Sequence, residues 1–276
     1  MWMFGVPVRV GEDRHVLVVG GKRGGENGAA LGFLVSPNAV GRNLEAWRFV
    51  EQARVGWLMS LIAYDVDGDG DDDIVYSDRK PYEGAPPNSS GVYWLEHPDG
   101  GVEALGKRWR RHRIGANGRE VMFIDVCDVD GDGGPDVLAA VKPREIHWYE
   151  PAGDVGGAWI LRERIDLANR EFAIGDAKAV RAADLDGDGA CEIVFTCEHA
   201  NPPARGVGYV DRVNGRWTMH DIGGPEGIKF DRIEAVDIDG DGDLDVMTTE
   251  ERHVASAERE NLGLGVVWYE NPREPN

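Results

Sequence analysis

The sequence is short of cysteine, of basic charge, of long apolar runs and of helical periodicity, and each shortage removes a class of explanation. Three cysteines in 276 residues, Cys127, Cys191 and Cys197, do not make a disulfide framework. Cys191 and Cys197 lie at opposite ends of one predicted strand, roughly 20 Å apart at ~3.3 Å per residue, too far to bridge. The redox compartment stays open. Thirty Lys and Arg face fifty Asp and Glu, a formal net charge of −20. That balance disfavours nucleic acid and anionic membranes and makes cations the natural partners. No apolar run approaches the ~20 residues of a membrane span, so no membrane insertion is expected. The opening MWMFGVPVRV has neither the basic region, the apolar length nor the small-residue cleavage site of an export signal. Nucleotide chemistry is also excluded, because GGKRGGENG lacks the Lys-Ser/Thr ending of a phosphate-binding loop and follows no βα pattern. There is no nucleophile elbow and no Cys/His zinc spacing.

What is present is repetition. DVDGDGDDDIV at 65 returns as DVDGDGGPDVL at 128, DLDGDGACEIV at 184 and DIDGDGDLDVM at 237. The first aspartates are 63, 56 and 53 residues apart, which is a period. Each loop is followed by a β-rich run (DIVYSD, DVLAAV, EIVFTC, DVMTTE), then by an aromatic run (GVYWLEHP, EIHWYEP, GVGYVD, GVVWYENP). A Trp-led run follows in three units (WRRHRIG, WILRERID, WTMHDIG), and a short apolar segment precedes each loop. Four strands per unit, joined by short turns, predict an all-β fold of four-stranded antiparallel blades. A period of ~40 to 60 residues suits a β-propeller better than a solenoid, whose coils are shorter. Phe33, Trp94, Trp148, Tyr209 and Trp268 recur once per unit and are expected to pack between blades.

Residues before 60 fit the same template with the acidic loop eroded, only Glu12 and Asp13 remaining. This gives one propeller domain over 1–276, in five repeats at approximately 1–55, 56–116, 117–168, 169–224 and 225–276. The fifth repeat has no Trp-led run, so a five-bladed ring with an imperfect seam and a fragment of a larger ring both fit. The abrupt opening at WMFGVPV, read as lying inside a blade, favours the fragment.

The loops carry carboxylates at positions 1, 3, 5 and 9: Asp65, Asp67, Asp69, Asp73; Asp128, Asp130, Asp132, Asp136; Asp184, Asp186, Asp188, Glu192; and Asp237, Asp239, Asp241, Asp245. Hard oxygen donors in this density suit Ca²⁺, which takes six to eight of them, better than Mg²⁺ with its tighter octahedron. An EF-hand needs a Glu at position 12 and flanking helices, whereas position 12 here is Tyr76, Ala139, Phe195 or Thr248 in a predicted strand. A plain acidic turn is the simpler reading of one loop, but four copies with the same four positions argue against it. Position 9 as the last carboxylate, within a β-hairpin, resembles the FG-GAP or VCBS-type repeat of integrin α-chain propellers and many secreted bacterial proteins, over about residues 5 to 272. The resemblance implies four structural Ca²⁺ sites, each in a loop joining the first and second strands of a blade on the lower face. It also implies an extracellular or periplasmic location. The first repeat departs from the pattern and is assigned no metal. Four Ca²⁺ would move the formal charge from −20 to −12.

Function is then expected at the opposite, upper rim. Six residues beyond position 9 stand Arg79, Lys142, Glu198 and Glu251, with Lys22 in the first repeat. Asp78, Lys80, Arg144, His199, Glu250, Arg252 and His253 are neighbours, and Lys178, Asp231 and Arg232 enter from the same rim. A solvated rim cross-linked by salt bridges between blades would give the same mixture. Two functional readings stand. One is a ligand-binding or interaction module for carbohydrate, an acidic sugar or a protein, gripping its ligand through Lys22, Arg79, Lys142, Glu198, His199, Glu251 and Arg252. The other is a sugar lyase or dehydratase with His199 or His253 as base and Lys142 or Lys178 behind it.

Overall fold

Each alternating run in the sequence becomes a strand, and consecutive strands pair antiparallel through short turns. The structure, a computed structural model, describes residues 1–10, 15–23, 26–36, 43–98, 100–153, 156–168, 172–251 and 263–271. The first blade is β1 (Trp2–Arg9), β2 (His15–Gly21), β3 (Ala29–Val35) and β4 (Arg48–Val55), hydrogen-bonded in that order. The second is β5 (Leu58–Tyr64), β6 (Asp73–Asp78), β7 (Gly91–Glu96) and β8 (Arg110–Gly115). The third is β9 (Val121–Cys127), β10 (Asp136–Val141), β11 (Glu145–Pro151) and β12 (Trp159–Asp166), and the fourth β13 (Asp176–Ala183), β14 (Glu192–Glu198), β15 (Val207–Val213) and β16 (Arg216–Asp221). The fifth has three described strands, β17 (Phe230–Val236), β18 (Asp245–Glu250) and β19 (Gly265–Tyr269). Two short 3-10 segments, Leu44–Ala46 and Gly101–Gly106, are the helical content among the described residues. The fold is all-β, of the β-propeller class, with five blades.

Burial follows position in the blade. Every residue of β6, β10 and β14 is buried, which is why these second strands read as near-continuous apolar runs instead of alternating. The outermost β12 alternates weakly and exposes its charged residues.

The chain divides into two compact units, Met1–Met122 with Tyr149–Leu161, and Phe123–Trp148 with Arg162–Asn276. In the first, Val8, Val18, Leu31 and Phe33 pack with Leu58, Ile74, Tyr76 and Trp109. Each such side chain contributes about 1.5–3 kcal/mol by leaving water. Ser77 Oγ donates to the Met122 carbonyl at 2.7 Å, tying β6 to β9. In the second unit, Ala179, Val194 and Val207 pack with Phe230, Ile233 and Val246. Gly206 is required there, because a Cβ at that position would lie 2.1 Å from the Phe230 ring.

Two expectations need correction. WMFGVPV does not open inside a blade: β1 starts at Trp2 and is the first strand of a four-stranded sheet. The five repeating aromatics are not equally packed. Phe33, Trp94 and Trp148 are buried, Tyr209 is half-buried, and Trp268 is 44% exposed, because no described strand covers β19. The three cysteines are unbridged, as expected.

Candidate functional site

The acidic loops join β5 to β6, β9 to β10, β13 to β14 and β17 to β18, and all four close with the same hydrogen bonds. In the first, the two oxygens of Asp65 accept from the N–H groups of Gly68 and Gly70, each at 2.9 Å. Asp128 does the same with Gly131 and Gly133, Asp184 with Gly187 and Gly189, and Asp237 with Gly240 and Gly242. Both turn positions need glycine, since φ is 75° at Gly68 and 98° at Gly70, with positive values at all six counterparts. Position 3 accepts from the N–H of position 5 in every copy, as in Asp69 N–H to Asp67 at 3.3 Å. Position 9 reaches back to the N–H of position 2, through Asp73 to Val66, Asp136 to Val129, Glu192 to Leu185 and Asp245 to Ile238.

These bonds turn carboxylate oxygens towards one another. Asp65, Asp67 and Asp69 each offer an oxygen within 4.8 Å of the others, as do Asp237, Asp239 and Asp241. In the middle two loops the close set takes in position 9: Asp128, Asp130 and Asp136, and Asp184, Asp186 and Glu192. Oxygens bound to one Ca²⁺ at 2.3–2.6 Å lie no more than about 5 Å apart, so the donor type and spacing fit that ion. In the first and fourth loops position 9 is held elsewhere, since a second oxygen accepts from His97 N–H (2.6 Å) in one and Asn271 N–H (2.9 Å) in the other. Burial raises the Asp73 carboxyl to about 8, with Asp67 and Asp69 adding repulsion against two lowering backbone bonds. Burial likewise raises Asp136 and Glu192. Without a cation these loops gather negative charge that the protein itself only partly offsets.

Residues 128–195, which span the second and third loops and the strands after each, match the family of FG-GAP-like repeats. That match and the five-bladed fold support a repeat propeller of the FG-GAP type. No curated protein matches the chain significantly.

At the other end of the second strands, the propeller pairs its charges. In the first unit Arg79 donates to Glu120 at 2.7 Å, with Lys80 3.6 Å from the same carboxylate. The Arg79 guanidinium and the Lys22 ammonium each lie 4.5 Å from the Trp57 ring centre. In the second unit Glu198 accepts from Lys142 and from Lys178, the latter at 2.9 Å. Lys178 also reaches Asp231 at 3.1 Å. Lys142 lies 3.8 Å from Asp176, which holds the imidazole of His199 at 3.1 Å. Burial alone would raise the Glu198 carboxyl, but the two ammonium groups outweigh it and hold the group at about 2. Glu251 pairs with Lys229, and Arg232 with Glu234 at 3.0 Å. Arg252 and His253 lie outside the described residues.

The structure therefore gathers Lys142, Lys178, Glu198 and His199 around Asp176 and Asp231, and places Lys22 and Arg79 against the ring of one tryptophan. Arg79, Glu198 and Glu251 keep one register, each standing one residue beyond the pairs Asp78–Leu58, Cys197–Ala177 and Glu250–Phe230. Glu198 itself is paired opposite Asp176. Asp78, Glu198 and Glu250 are buried. Asp78 accepts from the N–H groups of Gly56 and Trp57, and Glu250 from those of Ile228 and Leu264. Counting from the loop singled out Glu198 and gave Asp78 and Glu250, one residue earlier in their strands, only as neighbours; their signal was an acid at the exit of an apolar second strand. His199 is 66% exposed and adopts φ 61°, an uncommon backbone for a residue with a side chain.

Proposed function

We propose that this chain is a calcium-stabilised interaction module that holds a carbohydrate or protein ligand at the rim formed by the ends of β10, β13, β14 and β17. The observation that carries the reading is the fourfold recurrence of one loop geometry, with carboxylate oxygens within 4.8 Å of one another. In that reading calcium fills the loops and fixes the hairpins, while the Lys142, Lys178, Glu198 and His199 cluster presents polar groups at the far end of the same strands. Sites of this kind fill readily at millimolar calcium, which with the habit of FG-GAP repeats favours an extracellular or periplasmic setting. No helix among the described residues is long and apolar enough to cross a membrane.

Isothermal titration with calcium, followed by a panel of neutral and acidic sugars with and without calcium, tests it. Saturable sugar binding that weakens at least tenfold in Lys142→Ala supports the rim, whereas no calcium uptake by the chelator-treated protein would sink the metal assignment. Binding to none of the sugars shifts the ligand class to protein.

A second reading has one specific observation behind it. His199 is exposed and oriented by Asp176, an arrangement able to take a proton from a polarised substrate, with Lys142 close by. Lyase or dehydratase turnover of an acidic sugar, read as new ultraviolet absorbance and lost in His199→Ala, would favour it; binding without turnover would exclude it.

A further inference from the structure

The third and fourth strands of a blade are coupled by a pair of short patterns. On the third strand an aromatic is followed two residues later by an acid: Trp94 and Glu96, Trp148 and Glu150, Tyr209 and Asp211. At the fourth strand a Trp is followed three residues later by a basic side chain: Trp109 and His112, Trp159 and Arg162, Trp217 and His220. The two patterns meet in space. His112 is directly opposite Trp94 and stacks on it at 4.3 Å and 18°, while its Nε2 meets Glu96 at 2.5 Å. His220 is opposite Tyr209, stacks at 4.6 Å and 13°, and meets Asp211 at 3.1 Å. Arg162 lies 5.3 Å from the Trp148 ring centre. The first blade lacks both halves together: Val35 stands where the acid would be, and Val50, opposite Phe33, where the cation would be.

The fifth blade keeps one half only. Trp268 and Glu270 repeat the third-strand pattern on β19, and among the described residues no ring or cation stacks on Trp268 and no ion pair reaches Glu270. Val266 is 70% exposed beside them. The outer edge of β19 is unpaired among the described residues, so its backbone donors and acceptors can receive a strand. A cavity of about 820 Å³ runs alongside, its lining including Tyr209, Asp211, Val246, Trp268 and Glu270.

We propose that the edge of β19 is a docking site for an antiparallel polypeptide strand of Trp-x-x-His or Trp-x-x-Arg pattern, whose cation stacks on Trp268 and pairs with Glu270. The affinity comes from backbone ladder bonds and the selectivity from the aromatic-acid pair, which makes this strand addition to a sheet edge. The acidic lining favours a basic side chain, and the pattern is the one that two blades of this chain use internally, with the third sharing its ring contact.

The test uses the full chain with calcium present and a fluorescently labelled peptide GRWTMHDI, the sequence of residues 215–222. Fluorescence anisotropy should show saturable binding. Replacing the peptide's histidine by alanine, or scrambling its sequence, should weaken binding at least tenfold. Trp268→Ala and Glu270→Ala in the protein should each do the same, with circular dichroism verifying that both variants fold; Glu270, at the surface, keeps the test decisive if Trp268→Ala does not. No saturable binding, or equal binding of the scrambled peptide, overturns the proposal. So does a self-associated protein, seen by sedimentation, that Trp268→Ala returns to monomer, because a second copy then occupies the edge.

Discussion

The two ends of the second strands solve opposite electrostatic problems with the same residue type. At the loop end, acids face acids: the carboxylates of positions 1 and 3 crowd with position 5 in two loops and with position 9 in the other two, and the contacts that offset them are mostly backbone N–H groups. At the rim end, acids face bases or tightly aimed backbone donors, as Glu198 does with Lys142 and Lys178, and Asp78 with Gly56 and Trp57. The first end gathers carboxylates that backbone donors only partly offset, while the second pairs its acids within the protein. Burial raises Asp73 to about 8 at the loop end and Asp78 to about 6 at the rim, whereas at Glu198 two ammonium groups outweigh burial and hold the carboxyl at about 2.

Removing calcium should break the comparison most strongly. If a loop is filled at a hundredfold its Kd, each bound ion adds about 2.7 kcal/mol, so a chelator should lower Tm by at least ~5 °C in calorimetry. An unchanged Tm would mean that backbone donors alone satisfy the loops. Next, Glu198→Gln should cost about 3–5 kcal/mol in urea unfolding at pH 7, because two buried ammonium groups lose their counter-charge. The sign of its pH dependence follows from the lowered pKa. The stabilisation is fully present above the ordinary value of 4.5 and disappears as pH falls towards about 2. The gap between wild type and variant should therefore close across that window. Between the ends lies packing alone, where Gly206→Ala should cost about 1–3 kcal/mol by forcing a methyl into the Phe230 ring. Smallest is Arg54→Ala, which removes an exposed pair with Glu51 at 2.6 Å and should change stability by less than about 1 kcal/mol.

The blades were legible because each acidic loop marks the turn between two strands, and the strands on either side are rich in β-branched residues. The loop geometry and its gathered carboxylates were legible for the same reason, since Asp and Gly at fixed offsets admit few backbone paths. The rim was not. Lys178 meets Asp231 and Arg79 meets Glu120 across blade boundaries, and no local pattern records which blade faces which side chain. The coupling of Trp94 with His112 lay in plain spacing, yet only the register of β7 against β8 shows that the two residues meet.

The acids that close both ends of β6, β14 and β18 have a consequence for the chain before it folds. IVYS, IVFTC and VMTT are short, apolar and strongly β-forming, the kind of segment that pairs with copies of itself when exposed. Asp73 and Asp78, Glu192 and Glu198, and Asp245 and Glu250 bracket each one. Stacking such segments in register between molecules would pile like charges at both margins, so the residues that finish each blade also discourage the nascent chain from aggregating.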